Sequence, residues 1–148
     1  MRSVIEDAIE RAVTEKDVVK DYRYTSVDEE LERVLRESRA KIKVVGTGGA
    51  GSNAIDRLME IGVIGVEAVA VNTDAQDLLD TRADKKILIG KEVTRGLGAG
   101  NDPKVGEESA REDERTIKEV LEGSDMVFVT CGLGGGTGTG SAPVIAEI

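Results

Sequence analysis

The sequence predicts an α/β fold: a mostly parallel sheet with helices on both faces, preceded by an N-terminal helical extension. Three observations lead to this prediction. The apolar runs after residue 40 are nearly continuous, which is typical of parallel strands that are buried on both faces. Each run is followed by glycine or small polar residues and then by a helical pattern. Two glycine clusters follow such runs, at the strand ends where doubly wound sheets bind ligands.

Composition restricts the class of protein. The 148 residues are 39% hydrophobic, which suits one soluble domain that buries about two-thirds of its extended surface. One cysteine and no histidine exclude an internal disulfide, a Cys/His zinc cluster and an imidazole base. The net charge of −9 opposes nucleic-acid binding. Because no membrane-span or signal-peptide pattern is present, we expect a cytoplasmic protein without direct membrane insertion.

Residues 1–40 form the predicted helical extension. A capping box at Ser26–Glu29 predicts the start of its second helix, and residues 17–25 connect the two. We expect the extension to pack on the domain's own surface, and an arm that binds a partner is the alternative. The two helices are predicted from two apolar stripes at helical spacing: Val4, Ile5, Ala8, Ile9, Ala12 and Val13, then Leu31, Val34, Leu35 and Ser38.

Strands and helices alternate from Lys41 onward. Asp102 is the predicted N-cap of the longest helix, Pro103 lies in its first turn, and Gly123 ends it. This alternation predicts a doubly wound sheet. The predicted strands are 42–45, 66–71, 87–89 and 126–130, and the predicted helices are 52–61, 75–79, 103–122 and 141–148.

The first glycine cluster lies between a predicted strand and a predicted helix. Gly46–Gly51 satisfies G-x-G-x-x-G, in which glycines allow a tight turn and amide groups at a positive helix end meet a phosphate. An NAD(P)-binding Rossmann oxidoreductase has this pattern too, with an acidic residue near the end of the second strand. Asp74 is a poor candidate for that role, because Asn72 and Thr73 precede it.

The second glycine cluster favours a different ligand. Gly134–Gly140 consists of glycines and two threonines directly after the fourth predicted strand, and a dinucleotide fold has no need of it. Two loops that open onto helix N-termini at adjacent strand ends can enclose a di- or triphosphate, and Thr137 and Thr139 add hydroxyl donors. No G-x-x-x-x-G-K-[ST] is present, so a Walker-type loop is excluded.

These motifs resemble those of the tubulin/FtsZ family of GTPases. Gly134–Gly140 matches the tubulin signature G-G-G-T-G-[ST]-G, and Val44–Asn53 resembles the first nucleotide loop of FtsZ proteins, the prokaryotic tubulin-like cell-division GTPases. Val71–Gln76 and Thr94–Pro103 resemble the second and third loops. We therefore interpret residues 41–148 as the N-terminal part of a Rossmann-like GTP-binding domain of the tubulin/FtsZ type. The extension resembles that of archaeal and some thermophilic members.

The resemblance implies which residues bind GTP or GDP. The first loop would line the α- and β-phosphates and the ribose side, and the second cluster would cradle the β- and γ-phosphates. Ala99 and Gly100 would approach the γ-phosphate and sense its loss. Mg²⁺ would be held by phosphates and water, so no protein metal ligand is expected. The implied set is Gly48, Gly49, Ala50, Gly51, Ser52, Asn53, Ala99, Gly100, Gly135, Gly136, Thr137, Gly138 and Thr139.

Four further side chains receive structural roles. Asp74 and Asp102 are expected to cap helices rather than to bind a ligand. Arg95 is either a support for the third loop or a solvated surface residue. Cys131 is expected to pack under the second glycine cluster and not to act as a nucleophile.

The resemblance also implies a function: a filament-forming GTPase that assembles head to tail into the division ring at mid-cell, with other division proteins as partners. Family members continue with two more strands, guanine-reading residues, a long central helix and an acidic loop that completes a neighbouring subunit's active site. None of these lies before Ile148, and residues 143–148 are typical of an interrupted helix. No catalytic residue is therefore expected here, and the chain alone should bind GTP weakly and hydrolyse it negligibly.

Because the neighbouring strand of the family fold lies beyond Ile148, the strand 126–130 should form an open apolar edge that associates with other strands. The first alternative function is an NAD(P)-binding Rossmann oxidoreductase. The second is a tubulin-like regulatory module that binds nucleotide without hydrolysing it.

Overall fold

The structure, a computed structural model, describes residues 26–148, apart from the side chains of Arg36 and Glu37. The chain divides into two units, Met1–Arg39 and Ala40–Ile148, and each is described by itself. The helix predicted around residues 4–13 and the connection at 17–25 lie outside the described residues.

The described part of the first unit is a helix, α1, that spans Ser26–Glu37. It lies where the capping-box motif predicted a helix, and Asp28 and Glu29 occupy its first turn, where negative charge favours the helix dipole. The apolar stripe of this helix is exposed to solvent: Val27, Leu31, Val34 and Leu35.

The second unit alternates strands and helices, as the sequence predicts. All four predicted strands are present, and each predicted boundary lies within two residues of the observed one. The elements are β1 (Ile42–Thr47), α2 (Gly48–Ile61), β2 (Val66–Asn72), α3 (Ala75–Asp80), β3 (Lys85–Leu88), α4 (Lys91–Thr94), α5 (Pro103–Glu112), α6 (Glu114–Leu121), β4 (Met126–Cys131) and α7 (Thr137–Glu147).

The four strands form one parallel sheet in the order β3-β2-β1-β4. Thr47 at the end of β1 is level with Val71 in β2 and with Cys131 at the end of β4. The two glycine clusters, which follow β1 and β4, therefore emerge side by side at the same edge of the sheet. This confirms the predicted parallel sheet.

Two apolar cores cover the two faces of the sheet, because alternate strand residues point to opposite sides. In β2, Val69 and Val71 face α5, α6 and α7, whereas Ala68 and Ala70 face α2 and α3. The small side chains of Ala68 and Ala70 leave room for Ile55 of α2, which is fully buried. Helices on both faces are thus confirmed.

The helix predicted over 103–122 is wrong in one respect, because the structure breaks it at Asp113. There the backbone leaves helical geometry, with φ −104° and ψ 17°. The break lets the Asp113 carboxylate accept the N–H of Gly90 at 2.8 Å, while Glu112 accepts the N–H of Glu92 at 3.1 Å. Two acidic side chains therefore hold the start of α4, a short helix that was not predicted.

Two other helices begin earlier than predicted. α2 starts at Gly48 rather than at residue 52, and α7 starts at Thr137 rather than at residue 141. The N–H of Gly140 already donates to the carbonyl of Gly136 at 3.0 Å. The residues predicted as phosphate-binding glycine loops are therefore in part the first turns of helices.

β4 lies at the edge of the sheet and pairs with β1 alone within the described residues. Met126 is 52% exposed and Phe128 is 53% exposed, on the face that α2 only partly covers. The predicted open apolar edge is present in this chain.

Ion pairs tie neighbouring elements together. The Glu67 carboxylate of β2 lies 2.9 Å from Lys85 Nζ of β3 and 3.1 Å from Lys43 Nζ of β1. The hydrogen bond from Lys85, followed by that from Lys43, lowers the pKa of Glu67 against the opposing effect of burial. The Arg82 side chain donates two hydrogen bonds to the Asp56 carboxylate and its backbone N–H donates a third, and these hold the pKa of Asp56 well below its usual range.

The Glu67→Gln variant should lose stability at neutral pH. Because the folded pKa of Glu67 is lowered, its contribution is present above the ordinary carboxyl pKa and is lost as pH falls through the lowered value. We expect the unfolding free energies of variant and wild type to differ at pH 7 and to converge in acid, measured by urea unfolding across pH. Glu119→Gln, which removes an exposed helix pair with Arg115, should change stability less. Parallel pH curves for Glu67→Gln and wild type would contradict this account.

Candidate functional site

Two helix N-termini without a side-chain cap meet at the carboxyl edge of the sheet. Neither Thr47, the N-cap residue of α2, nor Gly136, the N-cap residue of α7, makes a side-chain cap hydrogen bond. The first three N–H groups of a helix have no intrahelical acceptor, so such an end offers amide donors and a positive dipole to an anion.

The neighbouring helices α3 and α5 differ in this respect. Asp74 accepts hydrogen bonds from the N–H groups of Gln76 and Asp77, at 2.9 and 3.1 Å. Asp102 accepts the N–H of Lys104 at 2.9 Å. The prediction that these two aspartates act as helix caps is confirmed, and only α2 and α7 leave this edge free for a ligand among these four helices.

Glycine allows the first turns of α2 and α7 to touch. Gly48 has φ +71°, and a Cβ atom placed on it would lie 2.7 Å from the backbone nitrogen of Gly138. A Cβ on Gly138 would lie 2.8 Å from the carbonyl oxygen of Thr47 and 3.2 Å from the Cβ of Cys131. The two backbones are therefore packed directly against each other, and Cys131 lies beneath them, as predicted.

A cleft of about 310 Å³ opens between the two first turns. No charged side chain lines it, and its polar groups are backbone atoms and the hydroxyls of two threonines. Although the whole chain carries a net charge of −9, the local field here comes from two helix N-termini. The cleft is lined by Thr47, Gly48, Gly49, Ala50, Gly132, Leu133, Gly135, Gly136, Thr137 and Gly138.

A buried hydroxyl pair keeps Thr47 away from the amides of α2. The Ser141 hydroxyl donates to the carbonyl of Thr137 at 2.6 Å. Because that hydroxyl has only one proton, the Thr47 hydroxyl, 2.5 Å away, must be the donor to Ser141. Thr47 is a residue type that commonly caps helices, but here its hydroxyl is held by the other helix.

The structure brings seven of the thirteen predicted site residues into the cleft and places six outside its lining. Ser52 is buried in α2, where its hydroxyl accepts a hydrogen bond from Asn72 at 3.3 Å, and Asn53 is exposed. The hydroxyl of Thr139 accepts the N–H of Gly134 at 3.1 Å. The seven lining residues are Gly48, Gly49, Ala50, Gly135, Gly136, Thr137 and Gly138, and the other six are Gly51, Ser52, Asn53, Ala99, Gly100 and Thr139.

The predicted third loop lies against the second glycine cluster. A Cβ placed on Gly136 would lie 2.9 Å from the Cβ of Ala99 and 2.8 Å from the nitrogen of Asp102. Ala99 is buried, whereas Gly100 is exposed and has nothing within 4 Å of its Cβ position. Arg95 is exposed, at the C-terminus of α4. The loop thus adjoins the cleft without lining it.

Sequence reasoning missed three residues that line the cleft: Thr47, Gly132 and Leu133. Thr47 occupies an unspecified position of the G-x-G-x-x-G pattern, and its residue type at a strand-to-helix boundary was the available signal. Gly132 and Leu133 directly precede the second glycine cluster, and Leu133 is 84% exposed at the rim. No periodicity marks an isolated exposed leucine in a loop.

A family profile described as Tubulin/FtsZ family, GTPase domain, matches residues 41–148. The chain belongs to the Tubulin/FtsZ family. It is 60% identical to cell division protein FtsZ 1 of Pyrococcus horikoshii over 100% of this chain and 40% of that protein. The chain therefore spans about two-fifths of the length of this curated relative.

Solved structures of the Tubulin/FtsZ family share the fold. An empty FtsZ dimer from Methanocaldococcus jannaschii is 62% identical, with a TM-score of 0.77 over 83% of this chain and 36% of that chain. CetZ2 of Haloferax volcanii, solved as a GTPγS-bound protofilament, is 34% identical, with a TM-score of 0.60 over 72% of this chain and 35% of that chain. The predicted resemblance is thus confirmed at the level of family and fold.

The described part of this Tubulin/FtsZ chain contains neither a membrane-spanning helix nor a cluster of metal-binding side chains. No helix within residues 26–148 has the length and apolar character that a membrane span requires. The same residues contain no cluster of three or more histidine, cysteine, aspartate or glutamate side chains placed to hold a metal ion.

The Gly48→Ala variant should be destabilised by the loss of close backbone contact. Gly65 provides a matched control, because it too has positive φ, +84°, but has nothing within 4 Å of its Cβ position. Gly65→Ala should cost about 1–2 kcal/mol from backbone strain alone. Gly48→Ala should cost a further 1–3 kcal/mol or so, because its methyl group meets Gly138. Equal unfolding free energies for the two variants, measured with urea, would argue against a tight contact.

Proposed function

We propose that the cleft between α2 and α7 binds the phosphates of GTP or GDP. The observation that carries this proposal is the pair of uncapped helix N-termini that meet at the Gly48–Gly138 contact. Their amide groups and dipoles can hold several negative charges without a basic side chain. The GTPγS bound to CetZ2, a relative with the same fold, supports a guanine nucleotide as the ligand.

In this proposal, the two first turns share the phosphates. Gly48, Gly49 and Ala50 serve the α- and β-phosphates, with Gly51, Ser52 and Asn53 toward the ribose side. Gly135 to Thr139 cradle the β- and γ-phosphates, and Ala99 and Gly100 approach the γ-phosphate from the third loop. Mg²⁺ would enter with the nucleotide and neutralise phosphate charge, held by phosphate oxygens and water. The residues that line the cleft include no carboxylate that would bind the ion directly.

The proposal extends to the protein as a whole. We propose residues 1–40 as a helical extension and 41–148 as the N-terminal part of the GTP-binding domain. The complete protein would be a cell-division GTPase that polymerises head to tail at mid-cell in the cytoplasm, together with other division proteins. The protofilament of CetZ2 and the cell-division names of the FtsZ relatives support this.

Hydrolysis in this proposal requires a group from outside the cleft. The lining contains no carboxylate or other base that could orient an attacking water. An acidic loop from an adjacent subunit would supply it, in the way that a residue in trans completes other phosphoryl-transfer sites. The oxidoreductase alternative has lost support, since the comparisons give tubulin-like relatives and the Asp74 carboxylate caps α3.

The Ala50→Asp variant tests where the phosphates bind. Ala50 is exposed in the first turn of α2 and lines the cleft. A carboxylate there would favour the helix dipole but repel phosphate, so we expect an intact fold and GTP affinity weakened about tenfold, by isothermal titration. Ala50→Asn, with nearly the same shape and no charge, should weaken binding much less. Tighter binding of NAD than of GTP by the wild type would overturn the proposal.

Turnover separates an assembling GTPase from a nucleotide-binding module. We expect the protein expressed from its full coding sequence to sediment as filaments with GTP and to release phosphate, while residues 1–148 alone release almost none. Sedimentation and phosphate release are measured on the same samples, with GDP as the control nucleotide. Binding of GTP by the complete protein without filaments or turnover would favour the regulatory module instead.

A further inference from the structure

Thr73 is a fully buried residue at the end of β2, and the sequence analysis gave it no role in the site. We propose that Thr73 is a positioning residue that couples phosphate binding at α7 to the placement of the third loop, residues 94–102. This inference rests on the proposed function, because it assumes that the cleft holds nucleotide phosphates. Its support is the set of hydrogen bonds that the side chain and backbone of Thr73 make in two different directions.

The side chain of Thr73 reaches the signature helix α7. Its hydroxyl lies 2.6 Å from the hydroxyl of Thr137, which is in the first residue of α7 and lines the cleft. A phosphate oxygen can only accept, so an anion in the cleft takes the proton of Thr137. Thr73 must then donate to Thr137. The buried hydroxyl thereby directs the proton of Thr137 into the cleft.

The backbone of Thr73 holds the third loop. Its carbonyl accepts the N–H of Gly98 at 3.2 Å and lies 3.3 Å from the hydroxyl of Thr94, whose single proton it shares with the closer carbonyl of Gly90 at 2.9 Å. A second backbone hydrogen bond holds the loop nearby, because Ala75 donates its N–H to the carbonyl of Gly96 at 3.0 Å. The loop is therefore attached both to Thr73, directly after β2, and to the first residue of α3.

These contacts close into a ring. From Thr73 the ring runs through Gly98 to Ala99, whose side chain abuts Gly136, and then through Thr137 back to the hydroxyl of Thr73. Packed backbones and hydrogen bonds in such a ring move together, because no member can shift without displacing its neighbour. Phosphate binding that draws Thr137 into the cleft is thus transmitted to the third loop through Thr73, in addition to the contact between Gly136 and Ala99.

The hydroxyl of Thr73 can be removed without changing the local backbone. The backbone N–H of Thr73 donates to the side-chain oxygen of Asn72 at 2.9 Å, so the backbone conformation is fixed independently of the hydroxyl. Replacement by valine keeps the branched shape but leaves the hydroxyl of Thr137 facing a methyl group, without its protein partner. The Thr73→Val variant therefore removes the hydrogen bond that couples Thr73 to α7 while it preserves the packing.

The experiment compares Thr73→Val with Thr73→Ser, which keeps the hydroxyl, in the protein expressed from its full coding sequence. Thr81→Val is the matched control, because Thr81 is also buried and its hydroxyl donates to the carbonyl of Asp77 at 2.8 Å, away from the cleft lining. We measure GTP affinity by titration and amide hydrogen exchange of residues 94–102 with and without GTP. Thr73→Val should bind GTP about fivefold more weakly. It should also lose the GTP-dependent protection of Gly98 and Ala99, whereas Thr73→Ser and Thr81→Val should behave as the wild type.

Each outcome decides between the proposals. Wild-type protein that fails to bind GTP overturns the proposed function and this inference with it. If the wild type binds GTP and Thr73→Val matches it in affinity and loop protection, only the role of Thr73 is overturned. Should Thr73→Val not fold, Thr73→Ala replaces it: loss of the bond to the Thr137 hydroxyl should reduce the GTP-dependent protection of Gly98 relative to Thr73→Ser, and unchanged protection refutes the coupling.

Discussion

The direct contact between the backbones of Gly48 and Gly138 is the constraint on which the rest of the site depends. A single methyl group at either position would separate the first turns of α2 and α7. The separation of those turns sets the width of the cleft and the angle at which two sets of amide groups converge. The parallel register makes the contact available, because β1 and β4 end level with each other. The strand order and register thus place the first turns of α2 and α7 side by side, and glycine allows their backbones to touch.

The electrostatic field at the cleft differs from the field that the overall charge of −9 would suggest. At physiological ionic strength, surface charges more than roughly 8 Å away are largely screened. The amides of two helix ends act at contact distance, and no carboxylate lies among the residues that line the cleft. Two aspartates at this edge of the sheet, Asp74 and Asp102, are occupied as caps of their own helices. The carboxylates of Asp74 and Asp102 accept hydrogen bonds from N–H groups in the first turns of α3 and α5. The Asp77 carboxylate, 3.8 Å from the Cβ position of Gly49, accepts a hydrogen bond from the side chain of Asn72.

Most of the fold follows from local patterns in the sequence, whereas the helix starts do not. The apolar runs locate all four strands, because a strand buried on both faces needs continuous apolar residues. Glycine's low helix propensity led to late predicted starts for α2 and α7. In a first turn that cost is outweighed by the backbone contact that only glycine permits. The break at Asp113 depends on a hydrogen bond to Gly90, which helical periodicity does not encode.

The site was predicted where it depends on short motifs and missed where it depends on distant pairs. The Thr47–Ser141 pair joins residues 94 positions apart, and the Thr73–Thr137 pair joins residues 64 apart. No local sequence pattern links two residues so far apart in the chain, so these pairs could not be predicted from one sequence. Thr139, by contrast, belongs to the recognised motif but uses its hydroxyl to accept the N–H of Gly134. A sequence motif therefore locates the segment that forms the site, but the hydrogen bonds that each residue of the segment makes depend on the tertiary fold.

The two open helix ends have a consequence for the stability of the protein in the cell. A missing N-cap costs a helix about 1 kcal/mol, and α2 and α7 both lack one in this structure. Any ligand that occupies both ends therefore raises the free energy of unfolding by mass action, in proportion to the logarithm of its concentration over its dissociation constant. The folded population then follows the supply of that ligand. Because α2 and α7 lack side-chain caps, the free energy of unfolding of the chain depends on the ligand that binds their N-termini.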